Sequence, residues 1–355
     1  MGKLFDKAQR AEAALDFEEA ERLFKLAVRM DPKNLATLHN LGGVLSSLSR
    51  LPEAEKAYRR ALAIDPGSAR THYALSQVIM MQGRYRDAVP HFRRRHEVAK
   101  YNTNKPGFFE CPEWNGEDLG GRSLLIWPEQ GFGDELQYAR FAPILAERGA
   151  TVRLVCRPQV SRLFSRSLPG VEVYEGSGQV EIPDSDFYVM GPDIVGLMDY
   201  TLETVPGAPY LKAAGKLSSS ARIGLVTAGS AAHGNNGYRS LDQADGLKLA
   251  AVLGATVGLD HAATGGKDFA DTADIIEGLD VVVTVDTAIA HLAGGMGKAV
   301  WLLLTRIDTD WRWGRGQERS TWYPSAELFF SDAKGRWTET IARLGERAAA
   351  LEATP

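Results

Sequence analysis

The chain has 355 residues, 44% of them hydrophobic and 24% charged, with a formal net charge of −4 at pH 7. That length exceeds what one hydrophobic core usually organises, so two or three domains are expected, and the near balance of charge gives no sign of a nucleic-acid or membrane-surface binder. No apolar run is long enough to cross a bilayer, the first twenty residues are charged rather than a signal peptide, and Cys111 and Cys156 stand in no metal-ligand spacing, so a cytoplasmic protein with two reduced thiols is expected.

Residues 1–100 repeat internally. Ala20 and Ala54, Phe24 and Tyr58, Ala27 and Ala61, Leu41 and Leu75, and Pro32 and Pro66 are each 34 residues apart, and Ala54 and Tyr58 recur as Ala88 and Phe92. Small residues where helices cross, with proline ending the second helix, resemble the tetratricopeptide repeat. Three units are expected, at about 3–32, 35–66 and 69–98, the last with Arg95 in the small position and Lys100 in place of proline. Such repeats bury their apolar stripes only against neighbours, so the third is expected to pack on the C-terminal part of the chain, and stacking leaves a peptide-binding groove on the first-helix side. Arg93-Arg94-Arg95-His96 reads as a solvated terminal face.

Residues 101–121 mix Pro and Gly with Phe108, Phe109 and Trp114, an aromatic-pinned connector. A first Rossmann-like α/β domain spans 122–215, with strands at 123–128, 151–156, 171–174 and 186–190 and a helix over 134–147. A second spans 220–335, with strands at 222–227, 255–259, 281–285, 299–304 and 327–330; the Ala, Gly and Ser-rich stretch 212–221 reads as the hinge between them. Trp337, Ile341, Leu344, Ala348 and Leu351 share one face of a helix over 336–355.

Three polar turns sit at the expected carboxyl edges of these sheets. After the first strand, Gly131 and Gly133 permit a tight turn with exposed amides, but Leu136 stands where a dinucleotide fingerprint needs its third glycine, and Arg157 rather than an acid follows the next strand; both weigh against NAD. Asp134 in the following first turn is placed either to take a proton from an acceptor hydroxyl or merely to complement the helix dipole. The loop 228–240 holds Gly229, Ser230, Gly234, Gly237 and Arg239, reading as an anion-approachable backbone with a positive charge or as an ordinary surface loop. At Asp286-Thr287-Ala288 a buried strand passes into a helix rich in Ala and Gly, which is either a capped core helix or a diphosphate site. His291, one turn on, either reaches that ligand or is a buried histidine bonded to a neighbouring loop. Trp311, Trp313 and Trp322 either stack on a base or sugar or pack a long loop, and Tyr138 and Arg140 read as helix-surface contacts.

The repeats, the Glu129-Gln-Gly-Phe-Gly-Asp-Glu-Leu-Gln137 turn, Arg239-Ser-Leu241, Asp268-Phe-Ala-Asp-Thr272, Val285-Asp-Thr-Ala-Ile-Ala-His-Leu-Ala-Gly294, Asp308-Thr-Asp-Trp-Arg-Trp313 and Trp322-Tyr-Pro-Ser325 together resemble the bacterial tetratricopeptide-repeat glycosyltransferase-like proteins. Their catalytic part is similar to ADP-heptose:lipopolysaccharide heptosyltransferases, and their layout resembles O-linked N-acetylglucosamine transferases. The resemblance implies a GT-B arrangement of two Rossmann-like domains. It implies Asp134 as general base, and a nucleotide sugar held by Gly131, Gly133, Gly229, Ser230, Arg239, Asp286, Thr287, Ala288 and His291, with no metal and no cofactor beyond the donor. The expected activity is inverting, metal-independent transfer of a sugar to a hydroxyl, plausibly on a protein bound by the repeats. The small first domain and the short stretch 246–271 favour the alternative, a non-catalytic interaction scaffold with a degenerate glycosyltransferase domain; a nucleotide-sugar-binding regulator is the third reading.

Overall fold

The computed structural model describes residues 2–98, 109–129, 131–177, 181–216, 221–230, 236–307, 309–314, 316–332 and 334–353. The chain divides into two units, residues 1–103 with 195–204 and 310–315, and residues 104–194 with 205–309 and 316–355.

The first unit is built on three helix pairs: α1 (Gly2–Ala13) with α2 (Phe17–Met30), α3 (Leu35–Ser47) with α4 (Leu51–Ile64), and α5 (Ala69–Met81) with α6 (Tyr85–Phe92). Asp16 and Asn34 open α2 and α3 by accepting the backbone N–H three residues on, which satisfies an otherwise orphaned donor. The 34-residue offset has a direct packing meaning. Ala20, Ala27, Ala54 and Ala61 are wholly buried, and a Cβ at Gly42 would stand 2.7 Å from the Tyr58 ring, so the crossings admit only small residues. In each pair a ring on the first helix meets one on the second: Phe5 on Phe24 at 5.7 Å, His39 on Tyr58 at 5.5 Å, Tyr73 on Phe92 at 6.1 Å.

The run 93–96 is not a solvated face. It forms a 3-10 turn, Arg93–Glu97, in which Arg95 is 0% exposed. Arg95 occupies the crossing position of Ala27 and Ala61, so its stem is buried there, and its guanidinium settles 4.0 Å over the Phe92 ring and donates to Phe92 O at 3.1 Å. The third pair packs on residues 195–204 and 310–314: Tyr85 meets Trp311 at 5.4 Å, Arg86 donates to Leu197 O at 3.0 Å, and a Cβ at Gly196 would lie 2.5 Å from Tyr85 O.

The second unit holds two parallel sheets. The first comprises β1 (Ser123–Trp127), α7 (Phe132–Tyr138), α8 (Phe141–Glu147), β2 (Thr151–Cys156), α9 (Pro158–Ser167), β3 (Val171–Glu175) and β4 (Phe187–Met190), in strand order β3-β2-β1-β4; the short α10 (Ile194–Leu197) that follows falls, from Val195 on, in the first unit. The second comprises β5 (Ile223–Val226), α11 (Asn236–Arg239), α12 (Gln243–Leu253), β6 (Thr256–Gly258), α13 (His261–Thr264), α14 (Phe269–Glu277), β7 (Val281–Val285), α15 (Ala288–Gly295), β8 (Ala299–Leu304), β9 (Ala326–Phe330) and α16 (Thr338–Glu352), in order β6-β5-β7-β8-β9. The single helix expected over 134–147 is two, broken at Ala139-Arg140, where Arg140 Nε reaches back to Gln137 O at 2.9 Å. Trp337, Ile341, Leu344 and Ala348 of the last helical stretch enter the core formed with Leu249, Leu253, Val283 and Trp301. In the connector Phe109 stacks on Tyr188 at 4.1 Å and Trp114 is buried; residues 101–108 of the connector and 217–220 of the hinge lie outside the described residues. No described helix is long and apolar enough to cross a membrane.

Candidate functional site

Strand order decides where a ligand can reach the sheets. β5 is flanked by β6 on one side and β7 on the other, and β1 by β2 and β4, so in each sheet a crevice opens beyond the carboxyl ends of the central pair. The register Val226↔Thr284 brings residues 227–230, which follow β5, to the same sheet edge as Asp286 and Thr287. The register Trp127↔Met190 does the same for the turn after β1 and residues 191–193.

The two helices that follow these crevices, α7 and α15, pack on each other. Gly133 is the point of contact: a Cβ there would stand 2.7 Å from His291 Cδ2 and 3.8 Å from Ala288 Cα. The glycine is thus required by helix-to-helix approach. His291 is 5% exposed, and its Nδ1 lies 2.9 Å from the Tyr323 hydroxyl. Gly131 is the N-cap of α7 in extended conformation, and Asp134 turns back to accept the Gly131 N–H at 3.1 Å. Next to it Glu135 is buried and pairs with Arg157; burial pushes its carboxyl above the ordinary value and the Arg157 charge partly offsets this.

On the second sheet Gly229 N donates to Ser240 Oγ at 3.0 Å, and the Asn236 amide, turned so that both its atoms are matched, donates to Gly229 O and Ser230 O at 3.2 Å. The Arg239 guanidinium folds over Gly229, where a Cβ would be 2.5 Å from Nη2. Arg239 is half-buried, and among the described residues no carboxylate stands within 4.0 Å of it. Thr287 is the N-cap of α15 but makes no side-chain cap; its hydroxyl pairs with Thr284 Oγ1 at 3.1 Å. Asp286 and Ala288 are half-buried at the same helix start, and Gly237 is exposed in α11, whereas Gly234 lies outside the described residues.

The structure therefore brings Gly131, Gly133, Asp134, Ala288 and His291 together, and sets Gly229, Ser230 and Arg239 on the strand edge adjoining Asp286 and Thr287. On the first sheet's side of Asp134 a separate cavity of about 20 Å³ is lined by Trp127, Glu129, Asp134, Tyr138, Gly191 and Pro192, room for about one water. Phe132 meets Phe269 at 5.1 Å, Arg162 takes Asp268 in a two-point ion pair at 2.7 and 2.8 Å, and Arg166 pairs with Asp274 at 3.1 Å, so side chains of α9 and α14 close the seam between the sheets.

Tyr138 and Arg140 correct the sequence reading. Both are 2% exposed, because α7 lies between its own sheet and α15 rather than at the surface. Arg140 donates to Gln137 O, to Pro206 O at 2.7 Å and to Trp322 O at 2.8 Å, with Tyr323, Tyr210 and Trp322 rings 4.6, 4.8 and 5.1 Å from its guanidinium carbon. Burial opposes the charge, and the Tyr210 and Tyr323 hydroxyls outweigh it, holding the group above its ordinary value. Only a lone cationic residue between two apolar helical stretches hinted at this. Trp322 packs in this network against Tyr138 at 6.4 Å, and Trp311 and Trp313 are buried in the first unit, which is the loop-packing use of these rings. Among the described residues no group of three His, Cys, Asp or Glu is placed to hold a metal ion.

Residues 34–100 match the tetratricopeptide repeat family. Protein FlbA of Caulobacter vibrioides is 24% identical over 290 residues, covering 66% of this chain and 48% of its own, so the chain spans about half the length of that curated relative. Among solved structures, MamA AMB-1 is similar at 25% identity over 26% of this chain and 51% of that one, with a TM-score of 0.25. The translocator chaperone SycD of Yersinia enterocolitica is similar at 19% identity over 31% and 73%, and the TPR2B domain of yeast Sti1 at 18% over 28% and 82%, both with a TM-score of 0.27. The chain thus carries a tetratricopeptide-repeat region, which implies a protein-interaction role, followed by a parallel-sheet α/β region.

Proposed function

We propose that this chain is an interaction protein: the repeats take up a protein or peptide partner, and the α/β region is a scaffold with a degenerate glycosyltransferase architecture. The observation that carries this reading is the filled seam, where Gly133 lies against His291 and Asp134 serves its own helix start.

One observation favours a second reading, an inverting, metal-independent glycosyltransferase in a GT-B arrangement. Half-buried Arg239, with no described carboxylate within 4.0 Å, adjoins the uncapped start of α15, so amides, a hydroxyl and a guanidinium share one edge where charge grows on a leaving diphosphate. Asp134 would then remove the acceptor proton. Thermal-shift screening against ADP, UDP, GDP and CMP sugars separates the two. The scaffold predicts no response at millimolar ligand, whereas a donor at a hundred times its Kd would add about 2.7 kcal/mol of stability. If one donor responds, its hydrolysis by wild type and not by Asp134→Asn establishes the enzyme; binding without turnover in either establishes a regulator.

A further inference from the structure

The first helices of the three pairs carry matched rows, because residues 34 apart occupy equivalent places. Phe5, His39 and Tyr73 form one row, Gln9, Gly43 and Gln77 the next, and Glu12, Ser46 and Met80 the third. Within each helix the three members fall at i, i+4 and i+7, so all nine share the first-helix face. The aromatic row is engaged by the rings of the second helices, and Ser46 reaches Met81 Sδ at 3.9 Å.

Two polar groups on this face are not engaged. Glu12 is half-buried, and among the described residues no base lies within 4.0 Å of its carboxylate; the charge that acts on it is Arg70, at the start of α5. Gln77 Nε2 is buried with no hydrogen-bond partner. Gly43 keeps the space beside Glu12 open: a Cβ there would meet only the Tyr58 hydroxyl at 3.7 Å and Glu12 Oε1 at 3.9 Å. Burial pushes the Glu12 carboxyl above its ordinary value and Arg70 only partly offsets this, so the anion lacks solvation that a ligand can restore.

We infer that this face takes an extended peptide of a protein partner, with a lysine or arginine side chain seated on Glu12. The inference rests on the interaction reading proposed for the repeats. Charge complementarity selects the occupant: a cation gains a desolvated, unpaired carboxylate, whereas an acidic side chain gains only exposed Arg70, which water already solvates.

The test uses the full chain and pools of acetylated, amidated nonapeptides, random except for a central residue fixed as Lys, Arg, Glu or Leu, with fluorescence polarisation as readout. Wild type is expected to bind the Lys and Arg pools best. Glu12→Gln should weaken them about tenfold, and Arg70→Gln should tighten them by removing a competing charge. An unchanged Tm for Glu12→Gln shows that the fold is intact. Preference for the Glu pool, no preference among pools, or indifference to Glu12→Gln overturns the assignment while leaving peptide binding in place. If wild type binds no pool, the interaction reading itself fails.

Discussion

Glu12 on the repeats and Arg140 at the seam of the α/β region are both charged groups withdrawn from water, and they are treated in opposite ways. Arg140 is given three carbonyl oxygens and three aromatic faces, so a cation that would be costly alone becomes a clamp between α7, residues 206–210 and residues 322–323. Glu12 is given no partner within 4.0 Å among the described residues, only the field of Arg70. In the second unit most polarity is consumed by the fold, with Gln137, wholly buried and with both amide atoms unpartnered, and the buried Ser325 hydroxyl among the exceptions. In the first, polarity on one face is left for something else. The difference separates a surface that recognises from a seam that holds.

The comparison is broken most directly at Arg140. Arg140→Ala leaves the carbonyls of Pro206 and Trp322 buried without donors and opens space among three rings, so a loss of roughly 3–5 kcal/mol is expected. Urea denaturation followed by tryptophan fluorescence measures it. A midpoint unchanged from wild type would mean that the seam is not held by this network and is free to open around a donor.

The repeats were legible because period, small residue and proline all recur along the chain, and a local pattern of that kind needs no knowledge of distant contacts. The strands were legible for a similar reason: Val281–Val285 and Ala299–Leu304 are apolar runs that only a sheet covered on both faces accommodates. Arg140 and Arg95 were not. Each lies in a segment whose polar pattern suggests a surface, and each is buried by an element that the pattern does not reveal, residues 206 and 322 for Arg140 and the vacated alanine position for Arg95. The candidate site shows the same limit. Sequence places Gly131, Gly133, Asp134 and Thr287 at sheet edges, but whether those edges enclose a space depends on side chains such as His291 and Phe269 arriving from elsewhere.

Gly133→Ala sharpens the contrast between a packed seam and a ligand crevice. The added methyl would fall 2.7 Å from His291 Cδ2, and that ring is held by Tyr323, so it cannot swing aside freely. Overpacking is expected to cost about 1–3 kcal/mol, against a gain of up to about 1 kcal/mol from replacing a helical glycine. The net loss should be roughly 1–2 kcal/mol in wild type and largely absent when Gly133→Ala is made in a His291→Ala background, which has room for the methyl. Additive losses in the double variant would show that Gly133 does not lie against His291.

The smallest effect belongs to the repeats, whose polar face is only half-withdrawn from water. Burial, reinforced by Arg70, pulls the His39 imidazole down to about 4, and burial with the charges of His72 and Arg59 pulls His91 down to about 4. His91 has a geometric reason as well. His72 Nε2 lies 3.0 Å from Pro66 O, which can only accept, so that nitrogen carries the proton; His72 Nδ1 then accepts from His91 Nδ1 at 2.7 Å. A second proton would set two N–H groups against each other. The unfolded chain binds protons at about 6.5 and the folded one only near 4, so stability is fully present above pH 6.5 and falls as the pH drops through that window. Solvent screening limits the loss to roughly 1 kcal/mol per imidazole. His39→Phe, which keeps a ring on Tyr58 as the rows at 5 and 73 do, should remove its share. The measure is the difference in urea midpoint between this variant and wild type at pH 7 and pH 4, in which titrations common to both cancel. A difference that does not change with pH would mean that His39 is charged in the folded repeats.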